Sequence, residues 1–100
     1  MHKWGIFESK WWGKTLVEFN PTSDDAWDHP SGEHFTCNIN EINSNIDDVV
    51  DFLLSKEGRY CWGIYLPEEI VNKIDEKIDR TDKWLVGQLD FMKRQLNYGR

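Results

Sequence analysis

The chain has 100 residues, a formal net charge of −6 and an aromatic fraction of 14% that includes six tryptophans. This length fits one domain, residues 1–100, with a single core, and so many aromatic side chains argue against disorder although 30% of the residues are charged. The acidic balance argues against direct binding to nucleic acid, because a phosphate backbone requires clusters of lysine and arginine.

The amino terminus indicates a cytosolic protein, and this compartment bears on the state of the two cysteines. Met1-His2-Lys3-Trp4-Gly5 contains no apolar run of signal-peptide length, and no later stretch reaches the length that spans a membrane. Cys37 and Cys61 both fall in predicted strands, where a cross-strand disulfide is geometrically conceivable. A reducing cytosol favours two buried thiols instead.

The first predicted element is a β-hairpin. Lys3–Glu8 and Thr15–Asn20 have the apolar alternation of two partner strands, and the connection between them contains Gly13. The same connection contains Trp11 and Trp12, which is more aromatic surface than a turn requires. These two side chains either fold back over a sheet edge or form a binding surface.

The segment Pro21–His34 predicts a long irregular loop, because proline, glycine, serine and aspartate recur in it. Trp27, in its middle, is expected to anchor the loop to the body of the protein. His29 and His34 lie among carboxylates, which are suitable metal ligands in type, but the spacing matches no zinc or calcium signature. We therefore expect no metal and no cofactor.

The middle of the chain predicts a strand and then a helix. Phe35–Asn40 alternates apolar and polar residues, which is typical of a half-buried strand. Ser44 stands three residues before Asp47, which is a helix-start signal, and apolar residues follow at helical spacing. We expect a helix from Ser44 to about Lys56, ended by Gly58.

Tyr60–Leu66 predicts the central strand of the sheet. It is apolar or aromatic at both alternating sets of positions, and Gly58 and Pro67 mark its two ends. A strand with two apolar faces requires a covering layer on each.

The rest of the chain predicts helix. Pro67-Glu68-Glu69 is a helix opening, because proline is tolerated in the first turn and acids suit the positive end of the helix dipole. A bend is expected near Thr81, since Thr and Asp favour helix starts over helix interiors. Trp84 and Phe91 lie off the apolar stripe, which predicts contact with the rim of the sheet or with another chain.

These elements predict an α+β fold in a single domain, with a mainly antiparallel four-stranded sheet and two to three helices packed on it. The predicted core consists of Ile6, Val17, Phe19, Phe35, Cys37, Ile39, Val49, Val50, Leu53, Trp62, Ile64, Ile74, Leu85 and Leu89.

Charge is the functional signal of the sequence, since no catalytic motif occurs in it. Residues 15–55 contain nine acidic residues and no lysine or arginine, while the rest of the chain contains the other nine acids and all 12 Lys and Arg. Such a segment is either a solvated face or the docking surface of a basic protein. Tryptophans next to the acids favour docking. The candidate partner-binding residues are Trp11, Trp12, Asp24, Asp25, Trp27, Asp28, Glu33, Asp47, Asp48 and Asp51.

The chain resembles the small cytosolic immunity proteins of bacterial toxin systems, of the colicin and contact-dependent growth inhibition type. The resemblance rests on its size, its acidity, the loop Asp24-Asp25-Ala26-Trp27-Asp28 and the acidic helix Asp47-Asp48-Val49-Val50-Asp51. It implies a stoichiometric inhibitor, not an enzyme, that binds a cognate toxin domain, commonly a nuclease, and blocks its active site or substrate groove.

Three other functions remain open from the sequence. A phage-encoded inhibitor of a host defence protein would use the same acidic surface as a nucleic-acid mimic. A carbohydrate-binding module would use Trp11, Trp12 and Trp27 as stacking platforms. A small enzyme would need His34 and Cys37 as base and nucleophile, for which a structural histidine and a buried thiol are the simpler interpretation.

Overall fold

The computed structural model describes residues 3–10, 13–29, 32–63 and 66–98. Within these residues the fold is α+β, as predicted, but the sheet has five strands where four were expected; there are three α-helices. The strands are β1 (Lys3–Ser9), β2 (Gly13–Phe19), β3 (Asp25–His29), β4 (Glu33–Thr36) and β5 (Ile42–Asn43), and the helices are α1 (Ile46–Leu54), α2 (Glu68–Lys77) and α3 (Lys83–Tyr98). Two short 3-10 helices lie at Ile39–Glu41 and Arg59–Gly63.

The chain divides into two compact units, Met1–Ile64 and Tyr65–Arg100, called here the N-terminal unit and the C-terminal unit. The N-terminal unit contains the sheet and α1, and the C-terminal unit contains α2 and α3.

The sheet is antiparallel throughout, with the strand order β4-β3-β2-β1-β5. β2 is its central strand and is buried on both faces, since Leu16 and Val17, which point to opposite sides, are each 0% exposed. The two faces are named here after these residues, the Leu16 face and the Val17 face.

The Val17 face contains the apolar core of the sheet. Its buried residues are Val17, Phe19, Ala26, Cys37 and Ile42, with Phe7, Phe35 and Ile39 half buried against them. The ring centroids of Phe7, on β1, and Phe35, on β4, are only 5.4 Å apart although two strands lie between them. The sheet is therefore strongly curved, with its concave side on this face.

The prediction of an irregular loop over Pro21–His34 was wrong, because β3 and β4 form a hairpin there. The polar residues at its start make a tight turn, in which the Asn20 side chain accepts hydrogen bonds from the Thr22 amide at 3.0 Å and the Thr22 hydroxyl at 2.7 Å. Gly32 has a φ of 73°, a left-handed conformation that glycine adopts without strain, just before β4. The turn residues on either side of β3 made its alternating pattern hard to detect in the sequence.

The predicted strand Phe35–Asn40 is shorter and earlier than expected. β4 ends at Thr36, and the chain then turns into the 3-10 helix at Ile39–Glu41. The Asn38 side chain caps that helix by accepting from the Asn40 amide at 2.9 Å. Asn38 thus hydrogen-bonds the backbone locally instead of facing water from a strand.

The prediction of a central strand at Tyr60–Leu66 was also wrong. Arg59–Gly63 forms a 3-10 helix that closes the carboxyl end of α1, and Ile64 and Tyr65 lie outside the described residues. The indole N–H of Trp62 donates to the Leu53 carbonyl at 2.6 Å, which satisfies an oxygen that has no partner within the helix. A short apolar run does not distinguish a strand from another buried segment.

The helix α1 confirms the predicted helix with shorter bounds. Asn45, and not Ser44, is the N-cap, because its side chain accepts from the amides of Asp47 at 3.0 Å and Asp48 at 3.2 Å. Gly58 follows the helix end, as expected. A Cβ atom there would lie 2.0 Å from the Phe52 carbonyl oxygen, so only glycine allows this close approach.

The C-terminal unit confirms the predicted bend. α2 ends at Lys77 and α3 begins at Lys83, after a connection in which Asp79 accepts hydrogen bonds from the Thr81 amide and hydroxyl. Asp82 then accepts from the Leu85 amide at 3.2 Å at the start of α3. Trp84 and Phe91, which lie off the apolar stripe, are exposed by 43% and 55%, respectively. The expectation that they contact the rim of the sheet or another chain stays a prediction.

Most of the predicted core is buried. Ile6, Phe35 and Ile39 are half buried, and Ile64 lies outside the described residues. The buried members are Val17, Phe19, Cys37, Val49, Val50, Leu53, Trp62, Ile74, Leu85 and Leu89. Among the described residues, no helix is both long and apolar enough to cross a membrane.

Candidate acidic docking surface

The Leu16 face contains the candidate site, because α1 lies along one side of it and leaves an open groove. Ile6, Glu8 and Lys14 line this groove from β1 and β2, and Asn43 lines it from β5. α1 and the turn after it supply Asp48, Asp51, Phe52, Ser55 and Glu57, and Glu41 completes the lining. The groove has a volume of about 580 Å³.

The charge in this groove is strongly negative. Five carboxylates line it against a single lysine, Lys14, which lies opposite Glu8 in the strand register. Ile6 and Phe52 add apolar side chains to the lining. A surface that combines apolar side chains with an excess of one charge suits a partner of the opposite charge.

Local hydrogen bonds fix part of this lining. The side-chain Nδ2 of Asn43 donates to the Asp48 carboxylate at 2.9 Å. The side-chain Oδ1 of Asn43 accepts from the backbone amide of Asn45 at 3.0 Å. Asp47 and Asp48 lie in the first turn of α1, where the helix dipole stabilises negative charge. The hydrogen bond from Asn43 therefore holds the Asp48 carboxylate in place at this end of the groove.

A row of residues crosses the same face at another point. In the strand register Trp4 lies opposite Glu18, Glu18 opposite Trp27, and Trp27 opposite His34. The ring centroids of Trp27 and His34 are 5.2 Å apart, and His34 Nε2 lies 3.3 Å from Asp25 Oδ1. Trp4, Glu18 and Trp27 are each half buried.

The structure separates the predicted binding residues into groups. Asp48 and Asp51 line the groove, Asp47 is exposed nearby on α1, and Asp25 and Trp27 share the Leu16 face at the β3–β4 side of the sheet. By strand alternation, Asp28 and Glu33 belong to the Val17 face. Trp11 and Trp12 lie outside the described residues.

Two of the acids that were predicted to bind a partner, Asp24 and Asp28, make hydrogen bonds within the fold on the Val17 side. The Thr15 hydroxyl, in a residue that is 2% exposed, donates to Asp28 Oδ1 at 2.6 Å. Asp24 lies near Cys37, whose amide donates to the Asp24 carbonyl at 2.9 Å. These acids and the groove acids do not form one continuous surface on a single face.

Sequence reasoning missed several residues of the Leu16 face. Glu8, Glu41 and Glu57 line the groove, and Trp4 and Glu18 belong to the cross-strand row. Strand parity could have found part of this set, since Trp4, Ile6 and Glu8 alternate along β1 and share one face. Glu41 and Glu57 reach the groove from two turns, and no periodic pattern in the sequence predicts these turns.

Cys37 has the properties of a structural thiol. Burial raises its pKa, and the negative charges of Glu41 and Asp24 raise it further, so the thiol stays protonated at neutral pH. Cys37 packs in the core of the Val17 face, whereas His34 contacts Trp27 and Asp25 on the Leu16 face. Cys37 and Cys61 are both buried free thiols.

Among the residues that the structure describes, no group of three or more His, Cys, Asp or Glu side chains is arranged to hold a metal ion. In comparisons with protein-family models, with curated proteins and with solved structures, the chain matched none of them.

Proposed function

We propose that this chain is a stoichiometric protein inhibitor, an immunity protein, that binds and neutralises a basic toxin domain, a nuclease, through an acidic surface. The observation that supports this most is the groove on the Leu16 face, which is lined by five carboxylates, one lysine and the apolar side chains of Ile6 and Phe52. A nuclease presents Lys and Arg to the phosphates of its substrate. The same cations would pair with the groove.

The mode of inhibition follows from charge and competition. An acidic body seated on a basic cleft would exclude nucleic acid, because both bind the same cations. Long-range attraction between a protein of net charge −6 and a basic domain would accelerate their encounter. The inhibitor would act at one copy per toxin domain and would need neither metal nor cofactor.

The test uses the domain encoded next to this gene, produced as a purified nuclease. Titration of this chain into a cleavage assay should abolish activity at a ratio of one to one, and calorimetry should give the same ratio. The variant Asp48→Asn/Asp51→Asn/Glu57→Gln, which removes three groove charges, should associate about tenfold or more slowly at low salt and show a weaker salt dependence.

A matched control separates the groove from net charge alone. The variant Glu68→Gln/Glu69→Gln/Glu76→Gln removes three exposed charges from α2, in the C-terminal unit. It should associate nearly as fast as the parent chain. The proposal fails if no one-to-one complex forms, or if the association rate falls by the same factor in the groove variant and in the control.

A further inference from the structure

We propose that this chain forms a symmetric dimer in which the α3 helices of two copies pack antiparallel, with Gly87 at their crossing point. The contact surface, called here the α3 patch, consists of five exposed residues, Lys83, Trp84, Gly87, Asp90 and Phe91. All of them belong to the C-terminal unit, and none lines the groove. The dimer therefore does not depend on the proposed inhibitor function.

The apolar part of the α3 patch lies opposite the buried side of the helix. Trp84 and Phe91 are two helical turns apart, so they lie on one side of α3 and about 10 Å apart along its axis. Leu85, Leu89 and Met92 are buried on the other side. Trp84 also has an interaction within its own chain, and only its exposed 43% would enter the interface together with the exposed 55% of Phe91.

Gly87 allows a second helix to come close between these two aromatic residues. A Cβ atom at Gly87 would meet nothing within 4 Å, so the surface of α3 is lowest at this position. Packed helices lie about 8–10 Å apart, and small residues at the crossing point allow the shorter distances. The aromatic side chains of each copy would then lie on either side of the partner's backbone.

The sequence of α3 is self-complementary about Gly87. Trp84 precedes it by three residues and Phe91 follows it by four, while Lys83 precedes it by four and Asp90 follows it by three. In an antiparallel pair whose two-fold axis passes Gly87, Trp84 of one copy meets Phe91 of the other. Lys83 of one copy meets Asp90 of the other in the same way, and the symmetry produces each contact twice.

Charge selects the antiparallel orientation over the parallel one. Successive residues of a helix are rotated by about 100°, which places Lys83 and Asp90 on one flank of the α3 patch and Gln88 and Gln95 on the other. Antiparallel packing brings the same flank of both copies together, so each lysine has an aspartate to pair with. Parallel packing would place both charges opposite the uncharged glutamines.

The size of the α3 patch predicts a weak dimer. Phe and Trp side chains offer about 150–250 Å² each, and roughly half of that area is exposed in Trp84 and Phe91. The aromatic contribution is therefore on the order of 200 Å² per copy, which is a small part of the roughly 800 Å² per partner in a standard interface. We expect a Kd of about 100 µM.

The test is sedimentation equilibrium of the full chain over a range of about 5 to 500 µM at low salt. The weight-average mass should rise with concentration from the monomer value of 11.9 kDa towards twice that value. Circular dichroism and urea denaturation of each variant check that the fold is retained.

Two variants test the contact itself. Phe91→Gln removes an exposed ring and should weaken the dimer about thirtyfold or more. Gly87→Gln places a side chain where the monomer has room for it, and glutamine suits a helix better than glycine does. This variant should be at least as stable as the parent chain and yet dimerise about tenfold or more weakly, because the helices can no longer approach.

A charge reversal tests the orientation. Lys83→Glu and Asp90→Lys each turn two attractive contacts into repulsive ones and should each weaken the dimer about tenfold. The double variant Lys83→Glu/Asp90→Lys restores opposite charges and should return the Kd to within about threefold of the parent value. The matched control is Glu76→Lys, which reverses an exposed acid on α2 and should leave dimerisation unchanged.

The proposal is overturned if the chain stays monomeric up to the highest concentration, which would mean that the α3 patch contacts something other than a second copy. It is also overturned if the dimer persists in Phe91→Gln or Gly87→Gln, or if the double charge reversal binds no more tightly than the single ones. None of these variants changes a groove residue, so the nuclease test succeeds or fails independently.

Discussion

In the C-terminal unit, the Asp75 carboxylate joins α2 to α3 and to the connection between these two helices. Its carboxylate accepts from Lys93 Nζ at 2.8 Å, which joins α2 to α3, and from Arg80 Nη2 at 2.5 Å. The hydrogen bond from Lys93 is the main cause that lowers the Asp75 pKa, and the bond from Arg80 is the second. The carboxylate is therefore stabilised in its ionised form.

This arrangement predicts a pH-dependent effect of Asp75→Asn. Because the pKa of Asp75 is lower in the folded chain than in the unfolded chain, its stabilisation is complete above the unfolded value and is lost as the pH falls through the folded value. The partners are well exposed, so we expect a loss of only about 0.5–1 kcal/mol in the free energy of unfolding at pH 7. Urea denaturation should show a smaller loss at pH 3.

The control for this prediction is Asp90→Asn, which removes an exposed carboxylate from α3. It should change stability by less than Asp75→Asn at pH 7. An Asp75→Asn effect that is the same at pH 3 and pH 7 would show that the charge of Asp75 is not what stabilises the unit.

At the scale of elements, the two glycines at the end of α1 and in the interior of α3 have different surroundings. A Cβ atom at Gly58 would lie 2.0 Å from the Phe52 carbonyl oxygen and 2.7 Å from its carbonyl carbon, both of which are backbone atoms that cannot move independently. A Cβ atom at Gly87 would meet nothing within 4 Å. The same substitution should therefore have opposite effects at the two sites.

We predict that Gly58→Ala lowers the free energy of unfolding by about 2 kcal/mol or more, because the turn must open. Gly87→Ala should raise it by about 0.5–1 kcal/mol, because alanine loses less backbone entropy in a helix. Thermal and chemical denaturation of the two variants measure both effects. A stable Gly58→Ala variant would mean that the 3-10 helix at Arg59–Gly63 does not need the close approach to α1.

The sequence predicted the elements whose conformation is set by local residue patterns. It failed at segments whose conformation depends on a contact with another part of the chain. The β1–β2 hairpin, α1 and the break before α3 follow from local alternation, helical spacing and capping residues. Trp62 does not, because its place in a 3-10 helix depends on a hydrogen bond to Leu53, nine residues away. The sequence shows that Trp62 is apolar and buried, and does not show what it covers.

The acidic character of the candidate site was predicted from the sequence, but only some of the residues that line it were. The excess of acid between residues 15 and 55 is visible in the sequence, and Asp48 and Asp51 do line the groove. Assigning β3 to a loop concealed the side to which each acid points. Once Asp25 and Asp28 are on one strand, their spacing of three residues places them on opposite faces.

At the scale of the whole molecule, the charge distribution predicts a response to salt. The net charge is −6, and five carboxylates share one groove, so the folded chain repels itself. Raising NaCl from about 20 to about 200 mM shortens the Debye length from about 20 Å to about 7 Å and should raise the melting temperature by a few degrees.

The variant Glu8→Gln/Glu41→Gln/Glu57→Gln tests where this repulsion lies. It should melt at a higher temperature than the parent at low salt and respond less to NaCl. The matched α2 variant Glu68→Gln/Glu69→Gln/Glu76→Gln should keep most of the parent's salt response. A melting temperature that falls with salt would show that attractive charge pairs outweigh the repulsion.

The strand order also bears on how the sheet is synthesised and assembled. β1 to β4 form a meander in which each strand pairs with the one made just before it, so no pairing among them waits for a distant part of the chain. Short loops cost little entropy to close, and local pairings favour rapid folding. Four of the five strands can therefore associate as soon as Thr36 has left the ribosome. β5, only two residues long, adds to the opposite edge when Asn43 follows, and α1 then completes the groove.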